Sequence, residues 1–173
     1  MVLIVEDGSI VAGADSYVSV ADTDTYNTSY VGGSLWIAAI EAAKEIALRQ
    51  ATQYLDVTYY DLWLGERVDD TQALSWPRSG VYYSDGVAVG ADEIPEPLKK
   101  ATMELAIKAN ASPNSLFTDV SAGASGVKRE KVKAGPVEAD TTYNGSSSTQ
   151  TRYTIVDNLI APLTYANGYT ERT

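Results

Sequence analysis

A chain of 173 residues with 45% apolar and 21% charged residues can bury a core of its own and is too apolar for wholesale disorder. It has no cysteine and no histidine, which excludes disulfides, thiolate zinc sites and any Ser-His-Asp or Cys-His catalytic arrangement. Its net charge of −10 repels polyanions at long range, so a phosphate-binding surface would have to be made from locally clustered basic residues.

Residues 2–5, Val-Leu-Ile-Val, read as a short strand closed by Glu6-Asp7-Gly8. With no basic region ahead of this apolar run, and no stretch approaching the roughly 18–20 apolar residues that span a bilayer, the expected location is the cytoplasm in which the chain is made. Ser19 is placed to cap a helix running through Tyr26 to about Tyr30, with Asp22 in its first turn and Gly32-Gly33 as the stop. The clearest helix is expected over residues 38–59. Ile40, Ala43, Ala47, Ala51, Tyr54 and Leu55 recur at three- and four-residue spacing, and Glu45 and Arg49 form an i,i+4 pair.

Residues 68–93 read as a long loop around Trp76-Pro77-Arg78-Ser79-Gly80 and Asp85-Gly86. A loop of that length inside a compact domain is functional or held by its own side chains. Trp76 with Arg78 is read as the loop's anchor; the other reading is a hot spot for a partner. Ile94-Pro95-Glu96-Pro97-Leu98 opens the next helix, with its prolines in the first turn, an inner stripe of Leu98, Ala101, Leu105 and Ala109, and an outer Glu104–Lys108 pair. Ser112-Pro113-Asn114 ends it.

Beyond a Gly/Ala/Ser connector at residues 122–126, Val127 to Lys133 alternates apolar and charged residues, and Ala134-Gly135-Pro136 turns it into a second strand, residues 137–140. Lys128, Arg129, Lys131 and Lys133 crowd this first strand. They suit contact with phosphates or an acidic protein ring, or equally the Lys-rich protection of an edge strand. After a polar tract at 144–151, Ile155, Val156, Leu159, Ile160 and Leu163 give a last apolar helix face, which Pro162 ends or kinks. The expected fold is mostly α: a bundle of three to four helices in a single domain, with a helical core at residues 1–111, an inserted β-hairpin arm at 126–141 and a terminal segment at 152–173.

No motif in this chain points to catalysis. Asp22-Thr23-Asp24 opens like a calcium loop, but Asn27 stands where Gly is required and Gly33 where the bidentate Glu belongs. No glycine-rich nucleotide cradle is present. The adjacent acids Glu6-Asp7, Asp69-Asp70 and Asp92-Glu93 read as solvated charge in turns. The expectation is therefore no enzyme, no cofactor and no metal. Twelve Tyr and three Trp against a single Phe suit half-wet surfaces and interfaces.

Several segments together resemble a known family. They are Val5-Glu6-Asp7-Gly8; Ala14-Asp15-Ser16-Tyr17-Val18-Ser19-Val20-Ala21-Asp22; the helix from Ala43 to Asp56; and Gln72-Ala73-Leu74-Ser75-Trp76-Pro77-Arg78-Ser79-Gly80-Val81 followed by Ile94-Pro95. This order resembles small proteins of tailed bacteriophages grouped as head–tail adaptors (head completion or connector proteins), which also carry the label of DnaT-like single-stranded-DNA-binding proteins. The adaptor resemblance implies a virion protein. Its copies form a ring, usually twelvefold, between the portal ring and the next tail-side protein, and genomic DNA passes through the lumen without sequence-specific contact. It also implies portal docking by the C-terminal segment. From the residue pattern, Ile155, Leu159 and Leu163 are expected to make that contact with Tyr165 and Tyr169 at its margin, while Lys128, Arg129, Lys131 and Lys133 meet neighbours or an adjoining ring; the two segments' roles are interchangeable. The second label implies single-stranded-DNA binding.

Overall fold

The computed structural model describes residues 2–113, 115–117, 129–134, 137–142 and 153–165, with 129–134 and 137–142 described by their backbone alone. The chain forms two compact units, residues 1–116 with 153–173, and residues 117–152. The first unit, called the body below, carries α1 (Val20–Tyr26), α2 (Ser34–Ala38), α3 (Glu41–Thr58), α4 (Glu96–Ala111) and α5 (Thr154–Ile160). The second carries the antiparallel strands β3 (Arg129–Ala134) and β4 (Val137–Thr142). The mostly α fold with an inserted hairpin stands as expected, with five α-helices among the described residues rather than three to four.

Ser19 caps α1 as its sequence suggests. Its Oγ accepts from the Asp22 N–H at 3.1 Å and donates to the Asp22 carboxylate at 2.6 Å. The chain continues through a π-turn, Asn27–Val31, and stops at Gly32 in the left-handed conformation. The helix expected over residues 38–59 is α3, which begins three residues later than its spacing suggested. Ala39 and Ile40 are both extended, so Ala38 closes α2 and Glu41 opens α3. That break takes Ile40 out of the stripe to which its spacing assigned it, and it is exposed. The stripe that does face inward is Ala47, Leu48, Ala51, Thr52, Tyr54 and Leu55. Helix α4 buries Leu98, Ala101, Leu105 and Ala109 as expected, begins after Pro95 and ends at Ala111.

Helix α4 is the hub of the body, packing on α2, α3 and α5. Around it the core gathers Trp36, Leu48, Leu55, Trp63, Trp76, Leu98, Leu105, Val156, Ile160 and Leu163, all essentially closed to solvent. After Ile160 the chain tightens into a 3₁₀ turn, Ala161–Leu163, at Pro162. The terminal segment is then tied to the residues after α3: Leu64 N–H donates to Leu163 C=O at 3.0 Å, and Tyr165 N–H to Leu62 C=O at 2.8 Å.

The expected strand at residues 2–5 reduces to a single parallel bridge between Val5 and Ser16, because the chain folds back through a tight loop instead of pairing along its length. Glu6 organises that loop. It was read as solvated charge but is 1% exposed, and its carboxylate accepts the backbone N–H groups of Gly8, Ile10 and Val11 at 2.9, 3.0 and 2.8 Å. Gly8 has φ +107°, and a Cβ there would lie 2.1 Å from the Asp92 carbonyl oxygen, so only glycine permits this approach.

In the hairpin unit, the register sets Lys131 opposite Asp140 and Lys133 opposite Glu138, with Arg129 opposite Thr142. Lys128, Tyr169, the connector at 122–126 and the polar tract at 144–151 lie outside the described residues.

Candidate interaction surfaces

The long loop is held by its own side chains and by one buried network. Two short strands clamp its flanks, β1 (Glu66–Arg67) against β2 (Arg78–Ser79), antiparallel. Trp76 is fully buried behind the cis Trp76–Pro77 bond and meets Trp63 edge-to-face, with ring centroids 5.8 Å apart at 88°. Arg78 donates to the carbonyls of Leu64 at 2.7 Å, Gly65 at 2.6 Å and Ser75 at 3.3 Å, which makes it a loop anchor. The Gln72 side chain stitches the turn within, donating to Leu74 and Pro77 carbonyls and accepting from Asp69 N–H. Beneath, the Tyr17 hydroxyl donates to the Asp56 carboxylate and accepts from Trp76 N–H at 3.3 Å, while Asp56 accepts from Ser75 N–H at 3.1 Å.

Burial pushes the Asp56 carboxyl above its ordinary range, against the lowering effect of its Tyr17 and Ser75 hydrogen bonds. The Tyr17 phenol is driven well up, first by burial and then by the Asp56 charge. The folded chain therefore takes a proton on Asp56 at a higher pH than the unfolded chain does. By linkage, Asp56 stabilises the fold more as pH falls through its raised pKa, and its contribution drops as pH rises through that value. The stability of the wild type relative to Asp56→Asn should accordingly increase from neutral pH down towards about pH 4 and stay flat above neutrality. Urea titrations of both proteins across that range measure this difference, and a difference of opposite slope contradicts the assignment.

Above this network lies a continuous groove of three hollows of about 500, 420 and 560 Å³. Tyr60 and Arg67 line both of the first two, and Gly65 and Glu66 line both the second and the third. Val57, Tyr60, Tyr82 and Tyr165 rim it, each more than half exposed. Arg67 lies in its floor with a buried Nε that has no hydrogen-bond partner, although another of its nitrogens donates to the Gln72 carbonyl. Gly65 has φ +65°, and a Cβ there would meet the Ser79 carbonyl oxygen at 2.1 Å, so the β1–β2 clamp is built around its absence.

At the other end of α3 stands a projecting corner formed by the π-turn and α2. Trp36 turns inward, its indole N–H on Asp24 at 2.7 Å, and Asp24 also takes Lys44 at 2.8 Å. Asp24, the second acid of the calcium-like start, is thus committed within the body. Leu35, Ile37 and Ile40 are 61%, 63% and 73% exposed, with Tyr30 and Val31 beside them. Tyr30 packs on Tyr26 at 5.1 Å, and the Tyr26 phenol is pushed up to about 12 by partial burial and by its hydrogen bond to Glu104. A fourth hollow of about 600 Å³ lies between α1, the Glu6 loop and Lys99 and Lys100 of α4.

The residues singled out from sequence divide. Leu163 is fully buried and Leu159 is partly buried against the core, so much of the terminal apolar face goes into the body's own packing on α4. Ile155 and Tyr165 remain exposed. Arg129, Lys131 and Lys133 lie at alternate positions of β3. Trp76 and Arg78 are anchors. Sequence reasoning missed Tyr17, Asp56, Gln72 and the Leu35–Ile37 corner. The available signal for Asp56 was a carboxylate next to Leu55 on the inward stripe of α3; α2 is too short to show periodicity.

Among the described residues, no group of three or more acidic side chains is placed to hold a metal ion, and no helix is long and apolar enough to cross a membrane. Fold and surface together define a mostly helical domain with an inserted antiparallel hairpin, presenting an apolar corner and an aromatic-rimmed groove. The chain belongs to the family described as "Putative DnaT-like ssDNA binding protein", whose model matches residues 1–173. Neither a curated protein nor a solved structure matches it.

Proposed function

We propose that this chain is a ring-forming connector of a tailed-phage virion, joining the portal ring to the tail and continuing the DNA channel, with no chemistry of its own. The observation that carries this reading is how the body spends its charges and leaves its apolar groups. Lys44, Arg49, Lys99 and Lys108 are each paired with a carboxylate, and Arg67 and Arg78 donate to backbone carbonyls. Large apolar side chains stay uncovered at both ends of α3. Such a surface suits protein partners better than a phosphate chain. A net charge of −10 also suits a passage through which DNA slides without being gripped.

The test is mass photometry of the protein with its cognate portal ring at low and high salt. A portal species gaining a fixed number of subunits at both salts is the expected result, with twelve as the count for a twelvefold portal.

Single-stranded-DNA binding is a second reading, favoured by the family's description and by Lys128, Arg129, Lys131 and Lys133 on or next to β3. It requires oligonucleotide affinity that falls steeply with salt and falls again when these four residues become Ala. The connector reading expects no such retention near physiological salt. An unshifted portal together with salt-sensitive oligonucleotide binding would reverse the order of the two.

A further inference from the structure

We infer that the aromatic-rimmed groove is a docking site for a partner protein's segment carrying arginine side chains. The inference goes beyond the connector reading and does not need it, since the contact is argued from the groove alone. The carboxylates of Asp56, Asp61, Glu66 and Asp70 line the hollows, against the guanidinium groups of Arg67 and Arg78. Both guanidiniums are already committed. Arg78 donates to the carbonyls of Leu64, Gly65 and Ser75, and Arg67 donates to the Gln72 carbonyl while its charge acts on Asp56 and Asp69. Asp61, Glu66 and Asp70 are exposed and make no ion pair among the described residues.

A guanidinium entering this groove meets both kinds of group that hold it. The exposed rings of Tyr60, Tyr82 and Tyr165 suit stacking by its planar cation, and the carboxylates accept its N–H groups. Val57, also exposed, offers apolar surface to the aliphatic stem. An uncharged apolar segment would desolvate the carboxylates without pairing them, and a phosphate chain would be repelled by them. A basic segment is the occupant whose charge complements the groove. Arginine suits it better than lysine, whose compact ammonium lacks the planar fork. The hollows adjoin in series, with Asp61 in the first, Asp70 in the second and Glu66 shared by the second and third, so one segment can present more than one arginine along them.

Fluorescence anisotropy of a dye-labelled, end-blocked peptide with two arginines in a glycine–leucine frame, titrated with the protein, tests this. Binding should be weak, with a Kd of about 0.1–1 mM, as a few exposed charge and ring contacts allow, and should weaken as salt rises. Citrulline in place of arginine keeps the shape, removes the charge and should weaken binding about tenfold. Because a net charge of −10 draws any cationic peptide, two double variants remove the same charge at different places. Asp61→Asn with Asp70→Asn should weaken binding about tenfold, and Glu41→Gln with Asp92→Asn, outside the groove, by less than about twofold. Tyr60→Leu should weaken it about threefold. All five side chains are exposed, and circular dichroism checks that each variant is folded. Equal weakening by the two double variants, equal binding of a glutamate counterpart, or no anisotropy change up to about 1 mM protein would each overturn the inference. Binding of a labelled single-stranded oligonucleotide that is lost in Tyr60→Leu would give the groove to nucleic acid, and self-association lost in that variant would give it to a second copy; either result overturns the inference too. The connector reading stands or falls separately, on the subunits counted at the portal.

Discussion

Trp76→Ala should lower the unfolding free energy by about 3–5 kcal/mol, the range for deleting a fully buried large aromatic. The indole is 0% exposed and packs edge-to-face on Trp63, which in turn packs on Tyr59. Its Nε1 has no hydrogen-bond partner, so the loss is one of packing and cavity rather than of polar pairing. Trp76→Phe should therefore be much milder, about 1–2 kcal/mol, because most of the ring's contact survives. Urea unfolding gives both numbers. Hydrogen exchange adds a local reading: the amides of Ser75 and Trp76, which donate to Asp56 and Tyr17, should lose protection ahead of α4. A loss under about 1 kcal/mol would mean that the loop holds itself through Gln72 and Arg78 and that the tryptophan merely fills space.

Glu6→Ala should cost about 3 kcal/mol. Its carboxylate accepts three backbone N–H groups within five residues of itself, and truncation leaves all three without their acceptor in a buried or half-buried setting. Hydrogen bonds to a charged group contribute about 1.5–3 kcal/mol each, but three that share one carboxylate are not additive. The same carboxylate holds Ile10 at φ 62°, a conformation that a β-branched residue rarely adopts, so its removal also releases backbone strain as disorder in the loop. Glu6→Gln keeps the shape and one acceptor oxygen and should fall between wild type and Ala. The check is the denaturation midpoint together with amide exchange at Ile10 and Val11. Unchanged protection at those two amides in the Ala variant would show that the loop is ordered by something else.

These two residues also mark where the sequence was legible and where it was not. Trp76 beside a proline in a long loop announces an anchor, and α4 announces itself through its prolines and its Leu98–Leu105 stripe. Glu6 announces nothing: an acid next to another acid and a glycine has the composition of a solvated turn, and only the backbone closing around it makes it interior. The stripe of α5 was legible as apolar, but periodicity identifies a face and not what covers it; α4 covers Val156, Ile160 and Leu163, leaving Ile155 and Tyr165 outside. The basic strand was legible only in part. Its charge is visible in the sequence, whereas the opposition of Lys131 to Asp140 and Lys133 to Glu138 exists only once the register is known. Leu35 and Ile37 could not be placed without the break at Ala39 and Ile40, which depends on extended backbone that no spacing rule signals.

The hairpin unit leaves the body and returns to it almost at the same place. Ser115 opens the 3₁₀ turn after α4 and Tyr153 precedes α5, and the Tyr153 hydroxyl donates to the Ser115 carbonyl at 3.4 Å, so exit and re-entry lie within the reach of one side chain. For the body, everything from residue 117 to 152 is thus a closed excursion between two fixed posts. Closing such an excursion grows more costly only with the logarithm of its length, about 0.6 kcal/mol per doubling. Lengthening, shortening or exchanging the arm should therefore leave the packing of the helices that hold it in place.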